Sequence, residues 1–359
     1  MTLQWHHGTR DKIQRLIVFW VVLAATLLML LCVSDVAIAD EVPNLALFGP
    51  PLPENFYPQQ QPADPELVAL GRSLYFEKRL SKNQDISCNS CHQLDHYGVD
   101  NQPFSPGHKG QLGGRNSPSV YNAASHVAQF WDGRAADVEA QAKGPILNPV
   151  EMAMPSEAQV LKVLNSMPEY VEAFATAFPQ DKPSVTYDHL GQAVGAFERG
   201  LVTPAPFDRY FAGDQTALNA KQKQGLTLFT DAGCAQCHNG TYLGGNTYQK
   251  AGRVNPWPNQ DDQGRYKVTG SDDDRMLFKV PSLRNVAETG PYFHDGSVKS
   301  LKAAVVQMAN TQLGKDLSNA EAGDIVAFLE SLTGEPPAEY IQSPVLPVST
   351  ESTPAADPT

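Results

Sequence analysis

Four cysteines stand in two copies of one arrangement, Cys88-Asn89-Ser90-Cys91-His92 and Cys234-Ala235-Gln236-Cys237-His238. Cys-x-x-Cys-His is the attachment pattern of c-type haem: the two thiols add across porphyrin vinyl groups, and the adjoining histidine ligates the iron from one side. A redox dithiol needs no following histidine, and a zinc site joining both Cys-x-x-Cys units would leave both histidines unexplained. Two covalent haems are therefore expected. Their work depends on the sixth ligand, because an iron held from both sides carries electrons and one that frees a position does chemistry. For the second haem, Met308 lies 70 residues after His238, shortly before a closing helix, and is the expected axial methionine; Met276 competes and is expected in the core. For the first haem the candidates are His108, His96 and Met167. His108 falls in a loop of glycine and proline, Ser105-Pro106-Gly107-His108-Lys109-Gly110, and spacing alone does not favour it over Met167.

The elements that must position these groups repeat. A helix opening at Asp64-Pro65-Glu66 has an N-cap, a proline at its first position and an acid in its first turn, with Leu67, Leu70 and Leu74 on one face. It leads to the first haem site. A second, opening at Asn219 with Gln222 three residues on, leads to the other. Far downstream of each site comes an amphipathic helix, Leu190–Leu201 and Glu321–Leu332, the latter with a Ser318/Glu321 capping box. Helix, haem site, long loops and closing helix, occurring twice, predict an all-α fold of two cytochrome c-like haem domains in tandem with long irregular loops. The expected layout is a segment 1–39, an extended surface arm 40–62, haem domains 63–203 and 204–335 joined at Thr203-Pro204-Ala205-Pro206, and a disordered tail 336–359 rich in proline, serine and threonine. The acidic clusters Asp261-Asp262 and Asp272-Asp273-Asp274 read as solvated loop charges.

With 359 residues, two domains fit the length; 42% hydrophobic and 18% charged residues exclude disorder and a polytopic membrane protein. A net charge of −12 argues against nucleic acid as a partner. Basic Arg10, Lys12 and Arg15 precede an apolar run from Leu16 to Val33, and Ala37-Ile38-Ala39 offers a signal-peptidase site before Asp40. Either this signal is cleaved or the run stays as a membrane anchor; both deliver the chain to the periplasm. Cleavage removes three basic and two acidic residues, taking the net charge from −12 to −13, and removes the fifth cysteine, Cys32.

From about Leu67 to Gly334 the chain resembles the bacterial di-haem cytochrome c peroxidases. The likeness is carried by Gly113-Gly114-Arg115-Asn116-Ser117-Pro118 with Tyr121-Asn122, Phe130-Trp131-Asp132-Gly133-Arg134-Ala135, and Gly144-Pro145 through Asn148-Pro149-Val150-Glu151-Met152. It continues in Phe278 through Asn285, Gly290 through Ser297, and Gln312-Leu313-Gly314. The resemblance implies reduction of hydrogen peroxide with electrons from a small c-type cytochrome or copper protein. It implies that His108 is a detachable distal ligand, that Met308 caps the electron-accepting haem, and that Glu151 is the acid/base at the peroxide site with Gln141 nearby. Trp131 matches the tryptophan between the haems, and Asn116, Thr289 and Pro291 match a calcium site, the last two through carbonyl oxygens. A homodimer is common among such proteins, as is a resting form that must be reduced before His108 lets go. Relatives that oxidise protein tryptophans carry an axial tyrosine where Met308 stands. The rival readings are a di-haem electron carrier, which leaves Glu151 without a role, and a di-haem oxidase of another substrate.

Overall fold

The computed structural model describes residues 45–58 and 64–359; the expected signal or anchor, the start of the arm and residues 59–63 lie outside the described residues. Helix α1, Pro65–Phe76, opens as its residues dictate: the Asp64 carboxylate accepts from the Glu66 N–H and Pro65 takes the first turn, where no backbone donor is needed. A single turn, α2 (Cys88–Cys91), carries the first cysteine pair. Helices α3 (Val138–Leu147), α4 (Glu157–Asn165), α5 (Pro168–Ala177) and α6 (Tyr187–Glu198) complete the first half. The last begins three residues before the expected Leu190, because Thr186 accepts from the His189 N–H and caps it there.

The second half runs α7 (Pro206–Phe211), α8 (Ala220–Ala232), strand β1 (Tyr248–Lys250), α9 (Tyr266–Thr269), β2 (Leu277–Lys279), α10 (Leu301–Leu313) and α11 (Asn319–Glu330). The strands pair antiparallel, Tyr248 opposite Lys279. Both expected capping boxes form, Asn219 with Gln222 and Ser318 with Glu321.

The repeat extends to packing. Helix α1 crosses α6 at Gly71, where a Cβ would collide with the Ala193 carbonyl and press on Phe197; α8 crosses α11 at Gly225, where it would collide with the Asp324 carbonyl and press on Phe328. Each half thus brings an entering and a closing helix into backbone contact, with a glycine at the crossing. One core gathers Leu70, Leu74, Tyr75, Leu164, Met167 and Phe197; another gathers Phe207, Leu226, Phe229, Phe328 and Leu329.

Three expectations are corrected here. The arm does not lie on the surface over its described part: Phe48, 1% exposed, sits edge-on to Phe207 with ring centroids 5.6 Å apart, and Leu52 and Phe56 are buried too. Phe48 belongs to the second core, Leu52 and Phe56 pack with Ala124, Val138 and Val202, and the Leu52 N–H donates to Asp208 Oδ1 at 2.9 Å. The tail is not disordered but runs as a strap back along the first half. Tyr340 stacks on Phe197 at 5.1 Å, Arg79 donates to the Pro347 carbonyl, and the Asp357 N–H donates to the Lys82 carbonyl. Its polar composition finds partners in side chains and backbone of the first half rather than in water. Asp262, third, is no solvated charge: it accepts from Arg115 Nε at 2.6 Å and lies 3.1 Å from Lys267 Nζ.

The connection at Thr203 is locked. This residue is fully buried, its Oγ1 accepts from Asn122 Nδ2 and Asn285 Nδ2, both at 2.8 Å, and the Gly334 N–H donates to Asn285 Oδ1.

Candidate active site

Around the first cysteine pair, the Ser87 N–H donates to Ser90 Oγ and the His92 N–H closes the turn on the Cys88 carbonyl. Burial pushes the Cys88 thiol up to about 12 and the Cys91 thiol up to about 11, so both are protonated thiols. His92 Nδ1 lies 3.0 Å from the Pro118 carbonyl and 3.3 Å from that of Gly98. Carbonyls only accept, so Nδ1 carries the proton and Nε2 keeps its lone pair for a metal. Burial lowers the imidazole pKa, which keeps it neutral. The Tyr75 hydroxyl donates to the His92 carbonyl at 2.7 Å and fixes the turn from below.

His108 is 5% exposed, and its Nε2 is buried with no hydrogen-bond partner. Its loop is bound to the Glu151 turn. The His108 N–H donates to the Glu151 carbonyl at 2.8 Å, and Gln111 Nε2 reaches the His108 and Pro149 carbonyls at 3.1 and 3.3 Å. Gly107 lies flat on this turn, since a Cβ there would collide with the Val150 carbonyl. The Glu151 carboxyl is raised above its ordinary pKa by burial, against the opposing pull of Arg134 and a hydrogen bond from Asn148. Gln141 is half-buried on α3, two turns before the Asn148 that ends this helix. His96 is exposed, and Met167 is sealed in the first core.

At the second pair, Gly233 ends α8 in a left-handed conformation (φ 96°) and turns the chain into Cys234. The His238 N–H donates to the Cys234 carbonyl, and its Nδ1 lies 3.2 Å from that of Leu243. Burial lowers the imidazole to about 4, again leaving a neutral ring with Nε2 free. His238 and Met308 of α10 line one cavity of about 200 Å³ with Cys234, Phe229, Ile325 and Leu329. A neighbouring cavity of about 100 Å³ shares His238, Met308 and Trp131 and is lined by Cys237 as well. Met276 packs with Trp257 and Phe278. Paired thiols, imidazoles with an oriented lone pair, an unpartnered buried His108 nitrogen and an apolar slot between His238 and Met308 all fit haem.

Trp131 stands between the halves. Its indole N–H donates to the Asn116 carbonyl and its own carbonyl accepts from the Lys279 N–H, both at 2.8 Å. Asn116, Thr289 and Pro291 line the larger cavity together. Asn116 Nδ2 donates to the Gln102 carbonyl, which leaves Oδ1 as an acceptor. Among the described residues no cluster of three or more His, Cys, Asp or Glu is arranged for a metal, so a cation here would rest on neutral oxygens.

Sequence reasoning assigned no role to Arg115 or Arg134. Arg115 bridges Asp132 and Asp262, both at 2.6 Å, and holds Asp262 well below the usual carboxylate range; Arg134 pairs with Asp132 and lies over the Phe130 ring. Both lie in the quoted motifs, which was the available signal.

Residues 65–216 match the family described as di-haem cytochrome c peroxidase, and residues 222–333 match that of cytochrome c. The cytochrome c551 peroxidase of Pseudomonas aeruginosa is 48% identical over 86% of this chain and 90% of its own. That of Nitrosomonas europaea is 46% identical over 83% and 88%. The methylamine utilization protein MauG of Methylorubrum extorquens is 36% identical over 81% and 84%. Among solved structures, a MauG-like protein associated with microbial copper homeostasis superposes with a TM-score of 0.69 at 28% identity, covering 82% of this chain and 95% of that one.

Proposed function

This chain belongs to the di-haem cytochrome c peroxidase family, and from that premise we propose that it reduces hydrogen peroxide to water in the periplasm with electrons from a small c-type cytochrome or copper protein. One peroxide, two electrons and two protons give two waters. Two covalently held c-type haems supply, when bound, the redox-active iron at which peroxide is accepted and electrons are passed.

Cys88 and Cys91, and Cys234 and Cys237, hold the two groups by thioether bonds. His92 would hold the first through Nε2, and His108, with its unpartnered Nε2, would be a second ligand that its loop could release. Glu151 takes a proton from one peroxide oxygen and returns it to the other, general acid–base catalysis that needs its carboxylate form first. Arg134 favours that form. Gln141 orients polar groups beside it. His238 and Met308 would hold the second group, and Trp131 lines both cavities beside it. Asn116 Oδ1 with the carbonyls of Thr289 and Pro291 binds a calcium ion that stiffens this junction; a chelator should lower turnover and calcium should restore it.

Residues 1–39 direct export. Among the described residues no helix is long and apolar enough to cross a membrane. The net charge of −12 favours a donor with a basic face, so association should weaken with salt.

The observation that carries this reading is the buried, unpartnered His108 nitrogen on a loop hydrogen-bonded to Glu151. The test is peroxide-dependent oxidation of a reduced c-type cytochrome by native protein and Glu151→Gln. Turnover that falls in the variant at unchanged haem content supports it; equal turnover leaves an electron carrier.

A further inference from the structure

Lys279 and His126 form a basic corner of the larger cavity. Lys279 is 9% exposed at the end of β2, and its Nζ lies 3.3 Å from His126 Nδ1. An ammonium only donates, so His126 Nδ1 accepts and the ring proton sits on Nε2, which is buried without a partner. Both residues line the cavity that holds His238, Cys234 and Met308. The arrangement is enforced: Gly245 is left-handed (φ 73°), and a Cβ there would collide with the His126 ring.

No carboxylate pairs with Lys279 among the described residues. Arg284, another cation on this wall, is neutralised by Asp208 through bonds of 2.6 and 2.9 Å. The rest of the lining includes Phe229, Leu283, Val305, Ile325 and Leu329. A buried cation without a counter-charge is strongly disfavoured, so this corner is built for an anion. Burial lowers Lys279 to about 8 and, with the neighbouring ammonium, holds His126 well below its ordinary value. An anion in the corner restores the charged lysine.

We propose that Lys279, supported by His126, is the seat of a haem propionate at the polar end of the slot between His238 and Met308. This rests on the reading that the slot holds a c-type haem. A carboxylate dissolved in the solvent would meet the same donors, but the slot's apolar walls and its ligating residues favour one carried in on the macrocycle. The paired ammonium offsets the propionate's negative charge near the iron and raises the reduction potential.

The test is a potentiometric titration of the methionine-ligated haem in native holoprotein, Lys279→Met and Lys279→Arg, with covalent haem counted first. Lys279→Met should keep two haems and lower the midpoint; Lys279→Arg should stay near native. Two haems with an unmoved midpoint in Lys279→Met overturn the proposal alone, as do equal shifts in both variants, which report shape rather than charge. Fewer than two haems in native protein overturns the underlying reading. A native midpoint that moves when chloride is exchanged for acetate at constant ionic strength assigns the corner to a free anion and overturns the propionate. If Lys279→Met fails to fold, the propionate bending band in resonance Raman spectra of native holoprotein decides: it shifts in D2O if hydrogen-bonded and stays if not.

Discussion

The His108 N–H donates to the Glu151 carbonyl across 2.8 Å, tying the loop that carries one candidate ligand to the turn that carries the candidate acid/base. With Gln111 bridging His108 and Pro149, and Gly107 pressed on Val150, the two segments move as one piece or part at several contacts together.

Gly107→Ala should unseat His108. The added Cβ meets the Val150 backbone, which cannot rotate away, and overpacking of this kind costs about 1–3 kcal/mol. That is roughly a five- to hundredfold shift toward the open loop. Absorbance and electron paramagnetic resonance of the oxidised protein should show a larger high-spin fraction than native, with the other haem unchanged. A spectrum identical to native would sink the idea that this contact holds the loop.

Activity should rise with pH through a value above the ordinary glutamate pKa, because burial raises Glu151 and the ionised form is the base. Arg134 pulls the pKa down, so Arg134→Met should move the acid limb of kcat/KM to higher pH. Glu151→Gln should abolish that limb and slow turnover by about 10²–10⁴. An acid limb that stays put in Arg134→Met contradicts the electrostatic assignment.

Glu198 is fully buried and pushed up to about 8, chiefly by burial and then by Glu139, with Arg199 opposing. A carboxyl whose folded pKa is raised contributes stability at low pH that is lost as pH rises from the unfolded value through the folded one. The window is therefore from 4.5 to about 8. Glu198→Gln should flatten the stability profile across it, by up to several kcal/mol on about 1.4 kcal/mol per pH unit. Denaturation midpoints at several pH values provide the check; parallel profiles for native and variant would refute it.

Asp208 and Arg284 form a buried ion pair, and Asp208 also accepts from the Leu52 and Ala205 N–H groups. Arg284→Ala leaves a buried carboxylate without its cation and should cost about 3–5 kcal/mol. Chemical denaturation measures it, and a loss below about 1 kcal/mol would mean that water reaches the site.

Tyr340→Ala should loosen the strap. The stack on Phe197 and the hydroxyl bond to the Phe197 carbonyl are both lost, about 1–3 kcal/mol from the pair and bond together. Limited proteolysis should then cut beyond Pro336 sooner than in native protein. Equal cleavage rates would show that the rest of the strap holds it.

Much of this molecule was legible along the chain. The two Cys-x-x-Cys-His motifs, the caps at Asp64, Asn219 and Ser318, and the repeated order of helices were all read from a few consecutive residues. Such features close locally: a cap finds its backbone donor two or three residues on, and a pair of thiols with the next histidine spans one turn. The purpose of Gly71 and Gly225 as crossing points, by contrast, shows only once Ala193 and Asp324 lie against them.

Tertiary structure decided the rest. It set Met308, not Met276, in the cavity with His238, laid the His108 loop on Glu151, and paired Asp262 with Arg115 instead of water. It also drew Phe48 of a proline-rich arm into the second core and laid the proline-rich tail along the first half. Composition made both segments look solvated, because low average hydrophobicity hides one or two apolar anchors. Contacts between residues far apart in the chain form only when the folded molecule excludes water around both partners, and no short window of sequence contains that condition.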